Sequence, residues 1–210
     1  MNPTSTEVRS DPAVGTHQHV DGRTARRDRN RAGVLDAVIE LFEDGNLSPG
    51  VHEIADRSGV SLRSVYRYFD DVDTLVATAI DRRLERSRPG FRIERVGEGP
   101  LRQRVERFCR ARVGLFEDLR VVYGAASVRA RLDQEVADVL SRLRRTLSGQ
   151  MEAMFAPELE RLTGDDLRIT TLTLDLLSQF ESLELLRDAR QMSVEDTTAY
   201  LVDAFVDHLD

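Results

Sequence analysis

Apolar side chains in this chain recur in threes and fours and never alternate. From 27 to 42, Val34, Leu35, Val38, Ile39, Leu41 and Phe42 fall at i, i+3, i+4 and i+7, which predicts an amphipathic helix ending near Gly45. After the turn "NLSPG", with Ser48 or Gly50 at its exit, a short helix is expected over 51–58; Glu53 stands where a capping-box acid belongs. Gly59 permits the positive-φ turn that ends it. Ser61 is a suitable N-cap for a third helix through Tyr68. Asp70 or Asp71 caps a fourth, with the stripe Val72, Leu75, Val76, Ala79, Ile80 and Leu84, which stops before "SRPG".

The segment "RIERVGEGP" reads as a glycine-rich break. Beyond it, helices are predicted over 101–119, 121–131, 134–155, 166–188 and 194–209. Pro100 suits a first helical position, Pro157 and Gly164 mark a break, and Ser193 with Asp196 repeats the capping logic. With no alternating stretch and no repeat, the expected fold is all-α. Residues 1–22 carry almost no large apolar side chains and read as a disordered tail. His17 and His19 lie in it without a third ligand, so no metal site is expected.

Composition narrows the partners. The 210 residues are 40% apolar and 32% charged, with a formal net charge of -7, which disfavours indiscriminate polyanion binding. Charge is uneven, however. The stretch "GRTARRDRNR", 22–31, holds five arginines against one aspartate, and 57–69 holds Arg57, Arg63 and Arg67 with no acid. A basic face on an acidic body is what a specific DNA binder needs. Every basic residue is arginine, which gives planar, bidentate contacts. Cys109 is the only cysteine, so no internal disulfide can form. No apolar run is long enough to span a membrane and no signal-peptide core is present, which predicts a cytoplasmic protein.

The chemistry concentrates in "VHEIADRSGVSLRSVYRYF", two short helices joined by a glycine turn. As a helix-turn-helix unit, Ile54, Ala55, Val60, Val65 and Phe69 lock the helices together. Ser61, Leu62, Arg63, Ser64, Arg67 and Tyr68 then face outward, matching a major groove. An arginine can chelate guanine, Leu62 can touch a thymine methyl, and the hydroxyls of Ser61, Ser64, Tyr66 and Tyr68 suit phosphate oxygens. The same spacing also fits an αα-hairpin whose arginines are merely solvated.

"IADRSGVSLRSVYRYFDDVDTL", preceded by an amphipathic helix, resembles the tetracycline-repressor (TetR) family of transcriptional regulators over residues 27–85. The elements "GVHEIA", "SGVS", "VYRYF" and "VDTL" follow that family's N-terminal signature in register. The resemblance implies that Ser61, Arg63, Ser64 and Arg67 face bases or the groove wall, that Tyr66 and Tyr68 meet phosphates, and that Val65 and Phe69 are core. Two positions depart from the pattern. Gly50 replaces a usual threonine, and Val72 replaces a lysine that usually meets the phosphate backbone. Arg26 and Arg27, in "RTARRDRNR", are the expected substitute.

The resemblance further implies a DNA-binding domain over 23–88 and an effector-binding and dimerisation domain over 98–210. In "LRITTLTLDLLSQFESLELLRDA", leucines lie on more than one face: Leu172, Leu176, Phe180 and Leu183 on one, Leu174, Leu177 and Leu185 towards another. Such a helix must be covered twice, either inside one chain or, with Tyr200 and Phe205 of the last helix, by a second copy. For a ligand the candidates are Phe108, Arg112, Phe116, Tyr123, Met151 and Phe155. Arg112 interrupts an apolar stripe, and either a salt bridge to an acid such as Asp175 or Glu181 or an anionic ligand would satisfy it. The expected function is a homodimeric one-component regulator, a repressor, that binds a palindromic DNA operator and is released by a small-molecule effector. The alternative is a helical dimeric interaction protein that has lost sequence-specific DNA binding. No cofactor and no catalytic motif is found, so enzyme activity is not expected.

Overall fold

The computed structural model describes residues 18–210, and side chains from residue 22 onward. Among the described residues there is no strand, as the missing alternation predicts. The opening helix, α1 (Gln18–Glu43), starts well before residue 27, so residues 18–22 are helical where a tail is expected. Residues 1–17 of that expected tail, with His17, lie outside those described. α1 buries Val34, Leu35, Val38, Leu41 and Phe42.

Short helices α2 (Val51–Ser58) and α3 (Leu62–Tyr68) close over that stripe with Ile54, Ala55, Val65 and Phe69. Glu53 Oε2 accepts a hydrogen bond from the Gly50 amide at 2.8 Å, the acidic arm of the expected capping box. Arg57 bonds Asp44, just past the end of α1, at 2.6 Å and lies 3.7 Å from Glu40 of α1, which docks α2 there.

α4 (Val72–Arg86) is the element shared by both halves of the molecule. Its stripe of Leu75, Val76, Ala79 and Ile80 is buried, and α4 packs on α1 on one side. Arg86 adds an ion pair to Asp36 of α1 at 2.6 Å. Its other flank is tied to the C-terminal body. Asp73 meets Arg129 at 2.5 Å, Asp81 meets Arg142 at 2.9 Å, and Arg83 meets Asp118 at 2.9 Å. The bonds from Arg83 and then Ser87 hold the Asp118 carboxyl below its usual range.

α4 ends before "SRPG" as expected, and a single turn, α5 (Arg88–Phe91), follows it directly. The break over 92–100 is present, and Arg107 staples it by donating to the carbonyls of Glu94, Arg95 and Glu98 at 2.9, 2.8 and 3.1 Å.

Three further differences separate periodicity from structure. α6 (Leu101–Arg129) runs straight through the break expected near residue 120, because buried Leu119, Val122 and Tyr123 continue one stripe. α7 (Gln134–Leu159) extends past Pro157, and its last turn places Glu158 against Arg104. The single helix expected over 166–188 is divided. α8 (Gly164–Ser178) ends at Gln179, whose backbone is extended, and α9 (Phe180–Glu184) passes into a π turn, Leu185–Ala189. The final helix, α10 (Val194–Leu209), has the predicted bounds, with Ser193 Oγ accepting the Asp196 amide at 2.9 Å.

Candidate nucleic-acid interface

The α2–α3 unit is built by local rules. Gly59 adopts φ 66, ψ 16, a left-handed conformation that costs a side chain about 1 kcal/mol or more. Ser58 Oγ donates to the Ala55 carbonyl at 3.1 Å and accepts the Val60 amide at 3.3 Å, so the corner is held from inside. Val60, Val65 and Phe69 face the core, and Arg31 of α1 lies over the Phe69 ring at 4.9 Å.

The outer face of α3 carries Ser61, Arg63, Tyr66 and Arg67, all exposed, with Ser64 half-buried between them. Ser61 occupies the N-cap position, but its hydroxyl donates to Ser64 Oγ at 3.1 Å instead of capping an amide. Arg67 is pre-oriented: Nη2 donates to Tyr68 Oη at 3.2 Å and its guanidinium lies 5.2 Å from that ring's centre. Arg63 has no ion pair or hydrogen bond among the described residues, so its fork is unspent. Leu62 and Tyr68 are not fully outward as the spacing suggests. Both are half-buried and pack on the core, which leaves Leu62 less of its side chain for a thymine methyl.

The following "DDVD" resolves into separate tasks. Asp71 Oδ1 accepts the Thr74 amide at 2.7 Å, which caps α4 and holds the Asp71 carboxyl below its usual range. Asp73 is spent on Arg129, and Asp70 is exposed. Val72 is half-buried against the core and offers no phosphate contact. Arg26 and Arg27 are exposed, but as part of helical α1 and not of an extended arm.

In the C-terminal half, the proposed ligand residues Phe108, Arg112, Phe116, Tyr123, Met151 and Phe155 are all buried. Their rings pack edge-on: Phe108 with Phe155 at 5.2 Å, Phe116 with Phe180 at 5.4 Å, Tyr123 with Phe180 at 5.2 Å. That is the packing of a core, with the rings serving as one another's partners. Among the described residues Arg112 pairs with no acid directly. It donates to the Ser178 carbonyl at 2.8 Å, the Leu147 carbonyl at 3.0 Å and Gln150 Oε1 at 3.3 Å, and lies over the Phe108 ring. Burial pulls its pKa down to about 10. Asp175 instead accepts from Gln179, and Glu181 pairs with Arg144. Gln179 stands at the α8–α9 break, and Arg112 takes the carbonyl exposed there. Nothing in the local sequence marks that role.

Of the residues expected at a dimer face, Leu174 and Phe205 are fully buried within the chain, because α8 and α10 turn those positions inward. Leu177 is half-buried, while Leu185 and Tyr200 are exposed. Ile169, Leu172 and Leu176, at helical spacing on α8, are also exposed, at 54%, 51% and 64%. No described helix is long and apolar enough to cross a membrane, and no group of described residues is arranged to hold a metal ion.

No protein-family model matches the chain. No curated protein matches it either. Solved structures do. A TetR-family transcriptional regulator from Streptomyces coelicolor is 20% identical, with 85% of this chain and 81% of that one covered at a TM-score of 0.65. NalD, the secondary repressor of the MexAB-OprM multidrug efflux pump in Pseudomonas aeruginosa, is 20% identical over 87% and 98%, at 0.59. The multidrug-binding protein EbrR, complexed with imidazole, is 14% identical over 86% and 95%, at 0.61. The chain therefore has the all-α fold of TetR-family transcriptional regulators.

Proposed function

We propose that this protein is a one-component transcriptional regulator, a repressor, acting as a cytoplasmic homodimer on a palindromic operator and without enzymatic activity. The observation that carries the reading is the α2–α3 unit: a rigid glycine corner presenting an unpaired Arg63, a poised Arg67 and three hydroxyl groups (Ser61, Ser64, Tyr66) on one face. Residues 23–88 form the DNA-binding part and 98–210 the effector and dimerisation part, with α4 bridging them. Arg63 and Arg67 read guanine edges, while Ser61, Ser64, Tyr66 and Tyr68 position the helix on phosphates. Leu62 contributes an apolar edge. Arg26 and Arg27 supply the phosphate contact that Val72 lacks, from a helix lying beside the groove.

Two copies associate through Ile169, Leu172 and Leu176 of α8 with Leu185 and Tyr200. The closed surface that results removes a row of exposed leucines from water. Such a dimer sets two α3 helices about one DNA turn apart. A small molecule that favours a different spacing would release the protein.

Selection from random duplex DNA tests this reading. The expected result is a palindromic site whose half-site centres lie about 10 bp, or a multiple of that, apart. Failure to enrich any palindrome would overturn it in favour of a dimeric interaction protein.

A further inference from the structure

A lateral groove, and not the buried ring core, offers room for a small molecule. It lies between α4, α5 and α7, with a volume of about 520 Å3, in the range of small-molecule sites. Its floor is Leu84, Phe91, Val139 and Leu143. A second hollow of about 420 Å3 continues it along α7, sharing Phe91, Arg92 and Thr146. The wall is rigidly placed, because Gln150 Nε2 donates to the Phe91 carbonyl at 2.6 Å.

Charge distinguishes the rim. Arg88, Arg92, Arg142 and Arg145 surround the two hollows, against only Asp81 and Glu85. Both acids are already engaged, Asp81 with Arg142 at 2.9 Å and Glu85 with Arg88 at 3.3 Å. Arg92 and Arg145 are exposed, and their guanidinium groups have no ion pair or hydrogen bond among the described residues. On a chain of net charge -7, two unspent guanidinium groups over an apolar trough are a local inversion of sign. A solvated arginine needs no apolar floor, and an apolar ligand needs no unpaired arginines. The two together fit a free amphiphile with a single anionic head.

We propose that this groove binds a small carboxylate with an apolar chain or ring, its head held by Arg92 and Arg145 and its body laid on Phe91 and Leu143. That such a ligand is the effector rests on the regulator reading. In that case the head also competes with Asp81 for Arg142, loosening one of the ties between α4 and the C-terminal body.

Isothermal titration of the DNA-free protein tests the binding, using monomeric decanoate, decanol and decyltrimethylammonium as probes. Decanoate is expected to bind tightest, and the variant Arg92→Glu/Arg145→Glu to lose about tenfold of that affinity while gaining for the cation. Both positions are exposed and unpaired, so the variant's helical circular dichroism should match the parent's. Equal or tighter binding of the cation by the parent protein would overturn the proposal, as would no decanoate binding or an affinity unchanged in the variant. Because no DNA is present, such a failure leaves the operator reading untouched, and a failed operator selection leaves the groove untouched.

Discussion

Arg104 and Glu158 form the most completely buried ion pair described in this protein, and breaking it should be costly. They are 3% and 7% exposed, and both carboxylate oxygens accept from the guanidinium. Arg104 also donates to the carbonyls of Gly99 and Met154, each at 3.0 Å. It thereby closes the 92–100 loop over the start of α6. Arg104→Met strands a buried carboxylate, which costs about 3–5 kcal/mol. It also removes a charged donor from the Gly99 carbonyl, adding about 1 kcal/mol. The expected loss is about 4–6 kcal/mol, a large share of a typical domain's stability. Arg104→Met/Glu158→Leu should recover most of it, because neither charge is then left without its partner. Urea unfolding followed by circular dichroism, at one fixed protein concentration because association shifts the midpoint, measures Arg104→Met, Glu158→Leu, the double variant and the parent. If Arg104→Met costs under about 1 kcal/mol, or if the double variant equals the sum of its singles, the pair is not the clasp that its geometry describes.

Other parts of the molecule are open to equally direct checks. Arg63→Ala should weaken binding to a selected operator by about 1–3 kcal/mol and relax specificity at one base pair, measured by fluorescence anisotropy across single-base operator variants; a uniform loss across all sequences would assign Arg63 to phosphate instead. Leu172→Glu/Leu176→Glu should leave the chain folded but shift its sedimentation to that of a monomer, and an unchanged oligomer would place the interface elsewhere. Burial pushes the Cys109 thiol up to about 12 from an ordinary 9.0. A raised folded pKa gives stability that is whole below pH 9 and lost as pH rises towards 12. Between pH 8 and 10 that loss is about 1.4 kcal/mol, which Cys109→Ala should abolish in urea titrations. Tyr123, also raised by burial, acts in the same direction and keeps a smaller alkaline slope in the variant.

Much of the N-terminal half, and the last helix with it, was legible because the rules there are local. The bounds of α2 and α10, the left-handed Gly59, the Asp71 cap and the Ser193 cap each depend on residues within one turn of one another. Apolar spacing likewise put Val65 and Phe69 inside and Arg63 outside, since a short helix against one neighbour has one buried face. Where a helix meets several neighbours, periodicity stops deciding. Leu174 and Leu176 are equally apolar, yet one is buried and the other exposed, according to which elements α8 packs against. No glycine or proline marks the interruption at Gln179; a guanidinium from α6, 66 residues before Ser178, accompanies it by taking the freed carbonyl. Arg112 could be seen as an arginine in an apolar stripe, but its partners are backbone groups, which carry no sequence signature. The rim of the lateral groove has the same origin. Its arginines come from α5, the loop after it and α7, and only the packing of α4 against α7 brings them over one apolar floor. Sequence alone thus determined the all-α class, the local caps and the exposed arginine face of α3; tertiary packing decided where the helices break, which leucines meet water and where a small molecule has room.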